Sequence, residues 1–256
     1  KILFILTLAG FDLIKFITFI KGLSFYYKDF ISLKKSLKDQ SEFPFGKFFP
    51  ILDEKYSESG AMKSHYFQQD FLVARKIFEK DPLRHIDIGS RIDGFVAHVA
   101  TFRQIEVFDI RPLENSIKNI VFSQADLMKL PESLVECCDS LSSLHVIEHF
   151  GLGRYGDPVD KDGHIKAIHN LHKMLKKGGT FYFSTPIGNQ RIEFNAHRVF
   201  NVSYLLKLFA DKFDVECFNY VDDKGNLFEN VELNDMDILN NYGCNYGCGI
   251  FELKKI

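Results

Sequence analysis

The sequence predicts an α/β fold: a mostly parallel sheet whose last strand is antiparallel, with helices on both faces and a helical appendage at the N-terminus. Three observations predict it. Residues 85–110 run strand, glycine turn, helix, strand; the same alternation continues to residue 186; and three successive strands end in, or turn directly into, an aspartate. Alternating elements of this kind build a parallel sheet whose ligands gather at the carboxyl ends of the strands. The 256 residues, 46% hydrophobic and 26% charged, suffice to bury one substantial core.

The first stretch, ILFILTLAGFDLIKFITFIKGL at residues 2–23, is apolar on nearly every face when helical. Asp12 and Lys15 in its middle are costly in hydrocarbon and argue against a membrane span, and no small-residue cleavage site follows. Two placements fit. The helix packs on the domain or on a second subunit, or it lies in a membrane surface, helped by Lys21, Lys28, Lys34, Lys35 and Lys38 behind it. Residues 1–40 thus read as an apolar and basic helical segment, and in the second placement residues 1–38 make a peripheral membrane contact. A linker at 41–60 follows, because Pro44, Gly46 and Pro50 interrupt any period, and 61–256 form the main domain.

Within that domain QQDFLVARKIFEKDP carries Phe71, Leu72, Ala74, Ile77 and Phe78 at helical spacing and stops at Pro82. HIDI at 85–88 is a short strand, FVAHVAT at 95–101 a helix, and QIEVFDI at 104–110 a second strand ending in Asp109. NIVFSQADL gives a third strand and turn, SLSSLHV a fourth strand, HIKAIHNLHKMLKKGG a helix with a glycine stop, and TFYFSTP a fifth strand. DVECFNYV and CGIFELKKI complete the sheet, the last returning antiparallel.

Composition excludes some functions. The formal charge of −2 comes from 32 basic and 34 acidic residues that are interspersed, so no field exists to recruit nucleic acid. Five cysteines, at 137, 138, 217, 244 and 248, are too few and too irregular for a disulfide framework, which fits a reducing cytoplasm. Cys244-Asn-Tyr-Gly-Cys248 has no second pair at zinc-ribbon spacing, so it reads as part of a glycine-rich turn and no metal is assigned.

The loop after the first strand, Gly89-Ser90-Arg91-Ile92-Asp93-Gly94, lacks the middle glycine of a dinucleotide fingerprint, since Arg91 stands where backbone must approach a pyrophosphate. A ligand without phosphate tolerates that side chain. S-adenosyl-L-methionine is such a ligand: Gly89, Ser90, Arg91 and Gly94 suit a loop around its methionine end, and Asp87 suits its amino group. Asp109 then suits the two ribose hydroxyls and Asp126 the adenine amino group. Any one of these acids also reads as a turn or cap residue. Three in succession at strand ends are the more specific signal.

In this order Asp87-x-Gly89, Asp109, Ala125-Asp126, LHVIEH and LKKGGTFYFSTP resemble the motifs of class I S-adenosylmethionine-dependent methyltransferases, over residues 84–256. More narrowly, HYFQQD, DIGSRIDGFVAH, HVIEHFGLGRYGDP and FNAHRVF resemble a bacterial methyltransferase-like family, the domain-of-unknown-function family 268. The resemblance implies a Rossmann-like class I sheet, S-adenosyl-L-methionine as cofactor, and methyl transfer to a small-molecule or glycan acceptor. The chain departs from the wider class at Arg91 and Asp93, where glycines are usual. It also lacks the Asn/Asp-Pro-Pro-Tyr motif of many amino methylases, which disfavours amide-type nitrogen as acceptor.

Methyl transfer asks mainly for in-line positioning, and an alcohol acceptor asks also for a base. His145, at the end of the fourth strand and beside the cofactor, is the expected base, and His197 in Asn-Ala-His-Arg is its competitor. Glu148, His149, Arg154, Tyr155 and Arg198 are expected on the acceptor side. Arg154, Tyr155, Asp157, His197 and Arg198, with the family resemblance and a membrane-surface helix, favour O-methylation of a sugar or surface-polysaccharide precursor. The bland readings are a Glu-His helix brace and a solvated loop arginine. His145-Val-Ile-Glu-His149 also matches the H-x-x-E-H pattern of zinc peptidases, which needs both imidazoles on one helix and a third ligand. The strand-like SLSSL before it disfavours that reading. Two further readings stay open: His145, Glu148 and His149 holding a divalent ion that activates the acceptor, and a noncatalytic protein that keeps the fold as another enzyme's partner.

Overall fold

The computed structural model describes residues 7, 10–37, 43, 45–55, 57, 59, 60 and 62–256. The chain divides into two compact units, Lys1–Ala61 and Met62–Ile256. In the first, helix α1 spans Leu13–Leu37. It starts at Asp12, whose Oδ1 accepts from the amides of Ile14 and Lys15, and ends on Lys34 and Lys35, which suit the negative end of a helix dipole. Gly22 is buried under Leu52, which leaves no room for a Cβ. The apolar side chains of α1 from Leu13 to Leu33 are mostly exposed. Residues 2–6, 8 and 9 of the apolar stretch, with Lys38 and Pro44, lie outside the described residues. Among the described residues no helix is long and apolar enough to cross a membrane.

The second unit opens with α2, His65–Lys80, capped by the Ser64 side chain, which accepts from the Phe67 amide, and closed by Asp81 in the left-handed region before Pro82. Its buried face is Gln69, Asp70, Leu72, Val73, Ala74 and Ile77, whereas Phe71 and Phe78 are exposed. The helix is thus rotated from the face its large apolar residues suggest, because two polar residues are buried for a purpose seen below.

The elements that follow are β1 His85–Ile88, a π turn Ile92–Val96 running into α3 Ala97–Ala100, β2 Ile105–Asp109, β3 Ile120–Gln124 and β4 Cys138–Leu144. Then come α4 Gly163–Met174, β5 Leu175–Ile187, β6 Arg191–Glu193, β7 His197–Val199, α5 Val202–Phe209, β8 Phe213–Val221, β9 Leu227–Phe228, α6 Asp235–Leu239 and β10 Gly247–Lys255. The sheet order is β3-β2-β1-β4-β5-β10-β8-β9, with β6 and β7 as a separate hairpin. The first five strands pair parallel, and β10 runs antiparallel to both neighbours, inserted between β5 and β8.

Strands buried on both faces read as apolar runs, and the core confirms that the sheet is covered twice. Phe181, Phe183, Phe251 and Leu253 join one cluster with α4 and α5, while Tyr182, Cys248 and Ile250, on the opposite faces of the same strands, join another with α2 and α3. One boundary differs from the sequence reading. Helix α4 stops at Met174, before the glycines, because Leu175 is extended and already pairs with Cys138. The glycines instead serve a ladder irregularity, with the Leu175 Cγ 2.8 Å from where a Gly179 Cβ would sit. The strand order reverses between β1 and β4, the place where open α/β sheets bind ligands.

Candidate active site

A cavity of about 270 Å³ opens at the carboxyl ends of β1 to β4. Of the residues singled out by sequence, Gly89, Arg91, Asp109, Asp126, His145, His149, Arg154 and Tyr155 line it; Asp87, Ser90, Gly94, Glu148, His197 and Arg198 do not.

Gly89 leaves β1 with φ +71°, and a Cβ there would lie 2.6 Å from Val146 Cγ1. Only glycine lets the loop pass the end of β4 in this way. Arg91 stands where a glycine is usual, yet its guanidinium is tied to Asp93 at 3.0 and 2.7 Å and is 63% exposed. The carboxylate of Asp87 turns away from the cavity. It accepts from the Ser90 amide at 3.0 Å, the Ser90 hydroxyl at 2.8 Å and the Ser142 hydroxyl at 2.5 Å, so Asp87 and Ser90 close the loop. Burial pushes the Asp87 carboxyl up to about 7, against the pull of those donors. Gly94 gives room to Asp70 of α2, whose Oδ2 lies 2.7 Å from where a Cβ would be. Burial raises Asp70 to about 6.

At the end of β2 both oxygens of Asp109 are engaged by Arg111, Nε at 3.0 Å and Nη2 at 2.6 Å, with the Arg111 amide also on Oδ1 at 2.8 Å. Arg111 was not visible as a site residue in sequence, since Asp-Ile-Arg is an ordinary tripeptide. Its guanidinium lies 4.7 Å from the Tyr155 ring centroid. Asp126, after β3, holds the Met128 amide on Oδ1 at 3.0 Å.

His145 follows directly on β4 with φ 55°, and its amide donates to the Ser184 hydroxyl oxygen at 3.1 Å. Ser184 donates in turn to Gln69 Oε1 at 2.5 Å, which is why α2 buries a glutamine. The imidazole Nδ1 lies 2.9 Å from Glu148 Oε1, and Glu148 is itself buried behind the ring. His145 Nε2 is buried and meets no nitrogen or oxygen partner among the described residues; the Cys248 thiol is the other polar neighbour of the ring. The ring stacks on His65 at 5.7 Å and tilts against Tyr66 at 5.0 Å. Burial works against charge on His145, but Cys248 and then Glu148 outweigh it and hold the imidazole well above its ordinary pKa. Burial, then the neighbouring His145, lowers His65 to about 4.

The H-x-x-E-H geometry of a peptidase is not formed. Ile147–His149 is a single 3₁₀ turn after a non-helical Val146, so the two imidazoles share no helix face. Among the described residues no group of three or more His, Cys, Asp or Glu is arranged to hold a metal ion. His197 sits outside the cavity, with Nε2 3.2 Å from Glu193 and its ring 5.1 Å from Tyr246, which also stacks on His65. Arg198 is buried and donates to the carbonyl oxygens of Phe150 at 2.6 Å, Glu148 at 3.4 Å and Lys161 at 3.4 Å, bracing the loop from behind. All five cysteines are free, and Cys248, which the sequence places both in the glycine-rich turn and at the start of the last strand, is buried in β10.

No curated protein matches the sequence. Solved structures share the fold of the second unit. The [4+2]-cyclase SpnF superposes with TM-score 0.54 at 14% identity, over 77% of this chain and 85% of that one. The 1,6-didemethyltoxoflavin-N1-methyltransferase of Burkholderia thailandensis, solved with 1,6-didemethyltoxoflavin and S-adenosylhomocysteine, gives 0.50 at 12% over 73% and 78%. The CurJ carbon methyltransferase gives 0.50 at 13% over 75% and 55%. The fold is therefore that of class I methyltransferases, while the named reactions differ among the three and transfer none of their chemistry. A family profile matches residues 96–241, the stretch that holds Asp109, Asp126, His145 and the loop to Tyr155, and its description names Caenorhabditis where the motifs suggested a bacterial group. Because that match spans more than half of the chain and carries most of the cavity with it, the protein belongs to the family described as Caenorhabditis protein of unknown function, DUF268.

Proposed function

We propose that the chain is an S-adenosylmethionine-dependent methyltransferase that O-methylates a sugar or surface-polysaccharide precursor, with His145 as general base. One observation carries the reading: His145, with Nδ1 held by Glu148 and a buried Nε2 that meets no nitrogen or oxygen partner among the described residues, lines the same cavity as the strand-end acids Asp109 and Asp126. The residues present fit the cofactor. Asp109 is available to ribose hydroxyls once Arg111 yields, the second oxygen of Asp126 to an adenine amino group, and the Gly89 turn to the methionine end. When bound, the cofactor supplies an electrophilic methyl group on a good leaving group. The chain's own part is positioning and proton removal. Glu148 accepts the Nδ1 proton of His145, which fixes the tautomer and leaves the Nε2 lone pair for an acceptor hydroxyl.

Calorimetric titration with S-adenosylhomocysteine, S-adenosylmethionine and NAD tests the reading. The first two are expected to bind and NAD is not. A folded sample that binds neither sulfur ligand at millimolar concentration overturns it in favour of a noncatalytic role.

A second reading concerns α1, where Ile14, Phe16, Ile17, Phe19 and Ile20 are exposed beside Lys15, Lys21, Lys28, Lys34 and Lys35. This combination supports a helix lying in the surface of an anionic membrane. The full chain is expected to sediment with phosphatidylserine vesicles. Replacing Lys21, Lys28, Lys34 and Lys35 by serine should weaken that partition by about 1 kcal/mol per lysine and leave S-adenosylhomocysteine affinity unchanged. Partition that ignores both lipid charge and these lysines would remove the membrane reading.

A further inference from the structure

We infer that the methyl acceptor carries an oxyanion, a carboxylate or a phosphate, and that Arg154 holds it; this rests on the methyltransferase reading and deepens it. The loop that presents Arg154 is built in advance of any ligand. Asp157 takes the amides of Gly151 and Gly153 on Oδ2, at 2.8 and 3.2 Å, and that of Tyr155 on Oδ1 at 3.2 Å. Its charge is thereby spent on the loop's own backbone.

Three arginines line the cavity, and they differ in what neutralises them. Arg91 is paired with Asp93, and Arg111 with Asp109. Arg154 makes no ion pair among the described residues. Its guanidinium lies 5.1 Å from the Tyr155 ring centroid, on a ring that Arg111 also approaches at 4.7 Å. Arg154 is exposed, and among the described residues only its Nη1 is engaged, to the Ala196 carbonyl oxygen at 2.8 Å. Nε and Nη2 remain, which is the edge of a guanidinium that grips two oxygens of one carboxylate or phosphate.

The free cation also touches the base system. Arg154 Nη1 is 3.5 Å from His149 Nδ1, His149 Nε2 is 3.9 Å from Glu148 Oε1, and the same oxygen binds His145 Nδ1 at 2.9 Å. Arg154 and His145 line one cavity, so an anion held by the guanidinium is in the same chamber as the base. A cavity whose other cations are paired off presents this one as its anion attractor. Neutral sugars leave the guanidinium without a partner; sugar acids and sugar phosphates satisfy it.

The test titrates the full chain, with and without S-adenosylhomocysteine, with D-glucuronate, D-glucose 6-phosphate and uncharged D-glucose. Both anions are expected to bind about tenfold or more tightly than glucose, the size of a hydrogen-bonded charge pair. Arg154→Ala should erase most of that preference, Arg154→Lys should keep part of it, and added salt should weaken the anions alone. Should Arg154→Ala melt early, Arg154→Gln, which retains a polar stem, decides instead. Anions bound no better than glucose, or not at all, overturn the proposal, as does an anion preference that survives loss of the guanidinium. A chain that prefers anions through Arg154 but binds no S-adenosylhomocysteine keeps the anion site and overturns the methyltransferase reading, so the two failures read separately.

Discussion

Replacing His145 by alanine is expected to lower methyl transfer by roughly 10²–10⁴-fold while S-adenosylhomocysteine binding stays nearly intact, the usual size of a general-base contribution. The pH profile should identify the base. Cys248 and Glu148 hold the His145 imidazole above its ordinary value in spite of burial, and a base works only when deprotonated, so turnover should climb with pH through a value above 6.5. Glu148→Gln removes one of the charges that raise it. The rising limb should then move to lower pH, and the plateau should fall because the tautomer is no longer fixed. Stability has the opposite sign. A folded-state pKa raised above the unfolded one contributes stability that is present below 6.5 and lost as pH rises through the folded value. The alanine variant should therefore be most destabilised relative to its parent at mildly acid pH, where its turnover is already low. Two other roles leave different signatures. If a divalent ion activates the acceptor, chelation abolishes parental activity and Glu148→Gln costs as much as the histidine change. A mere brace gives a variant that melts early and turns over normally per folded molecule. The assay is a screen of nucleotide sugars and polysaccharide extracts with methyl-labelled cofactor. Parental rates from His145→Ala, with loss from His197→Ala, would move the base to the β6–β7 hairpin.

The sheet was legible because its strands are buried on both faces, so HIDI, QIEVFDI and TFYFSTP stand out as apolar runs punctuated by glycine and aspartate. The acids at strand ends were legible for the same reason. What sequence does not carry is the direction of a side chain. Asp87 lies opposite Ser142 only because β1 pairs with β4 in that register, a relation across 55 positions, and the hydroxyl there draws the carboxylate inward. Arg198 has the composition of a substrate contact and the burial of a strut. His65, Tyr66 and Cys248 meet around His145 from α2 and β10, at separations no local period reports. Helix α2 hides its role because it buries Gln69 and Asp70, which breaks the amphipathic pattern that would have set its face.

Asp109→Ala and Arg111→Ala are expected to move S-adenosylhomocysteine affinity in opposite directions. The Asp109 side chain is 10% exposed, and its two oxygens are the acceptors at the end of β2 that ribose hydroxyls need. Removing them should weaken the ligand by about 1.5–3 kcal/mol, the range for hydrogen bonds to a charged group. Arg111 occupies those oxygens in a bidentate pair, but its side chain is 46% exposed and reaches water when released. An exposed pair of this kind is worth about 1 kcal/mol or less, so Arg111→Ala should tighten the ligand by no more than roughly fivefold. The double variant separates competition from cooperation. If Arg111 competes with ribose, Asp109→Ala costs more in the Arg111→Ala background than in the parent, because the carboxylate there was fully available. Equal and large losses from both single variants, with no further loss in the double, would mean that Arg111 orients Asp109 for the ribose and that the ion pair belongs to the bound state as well.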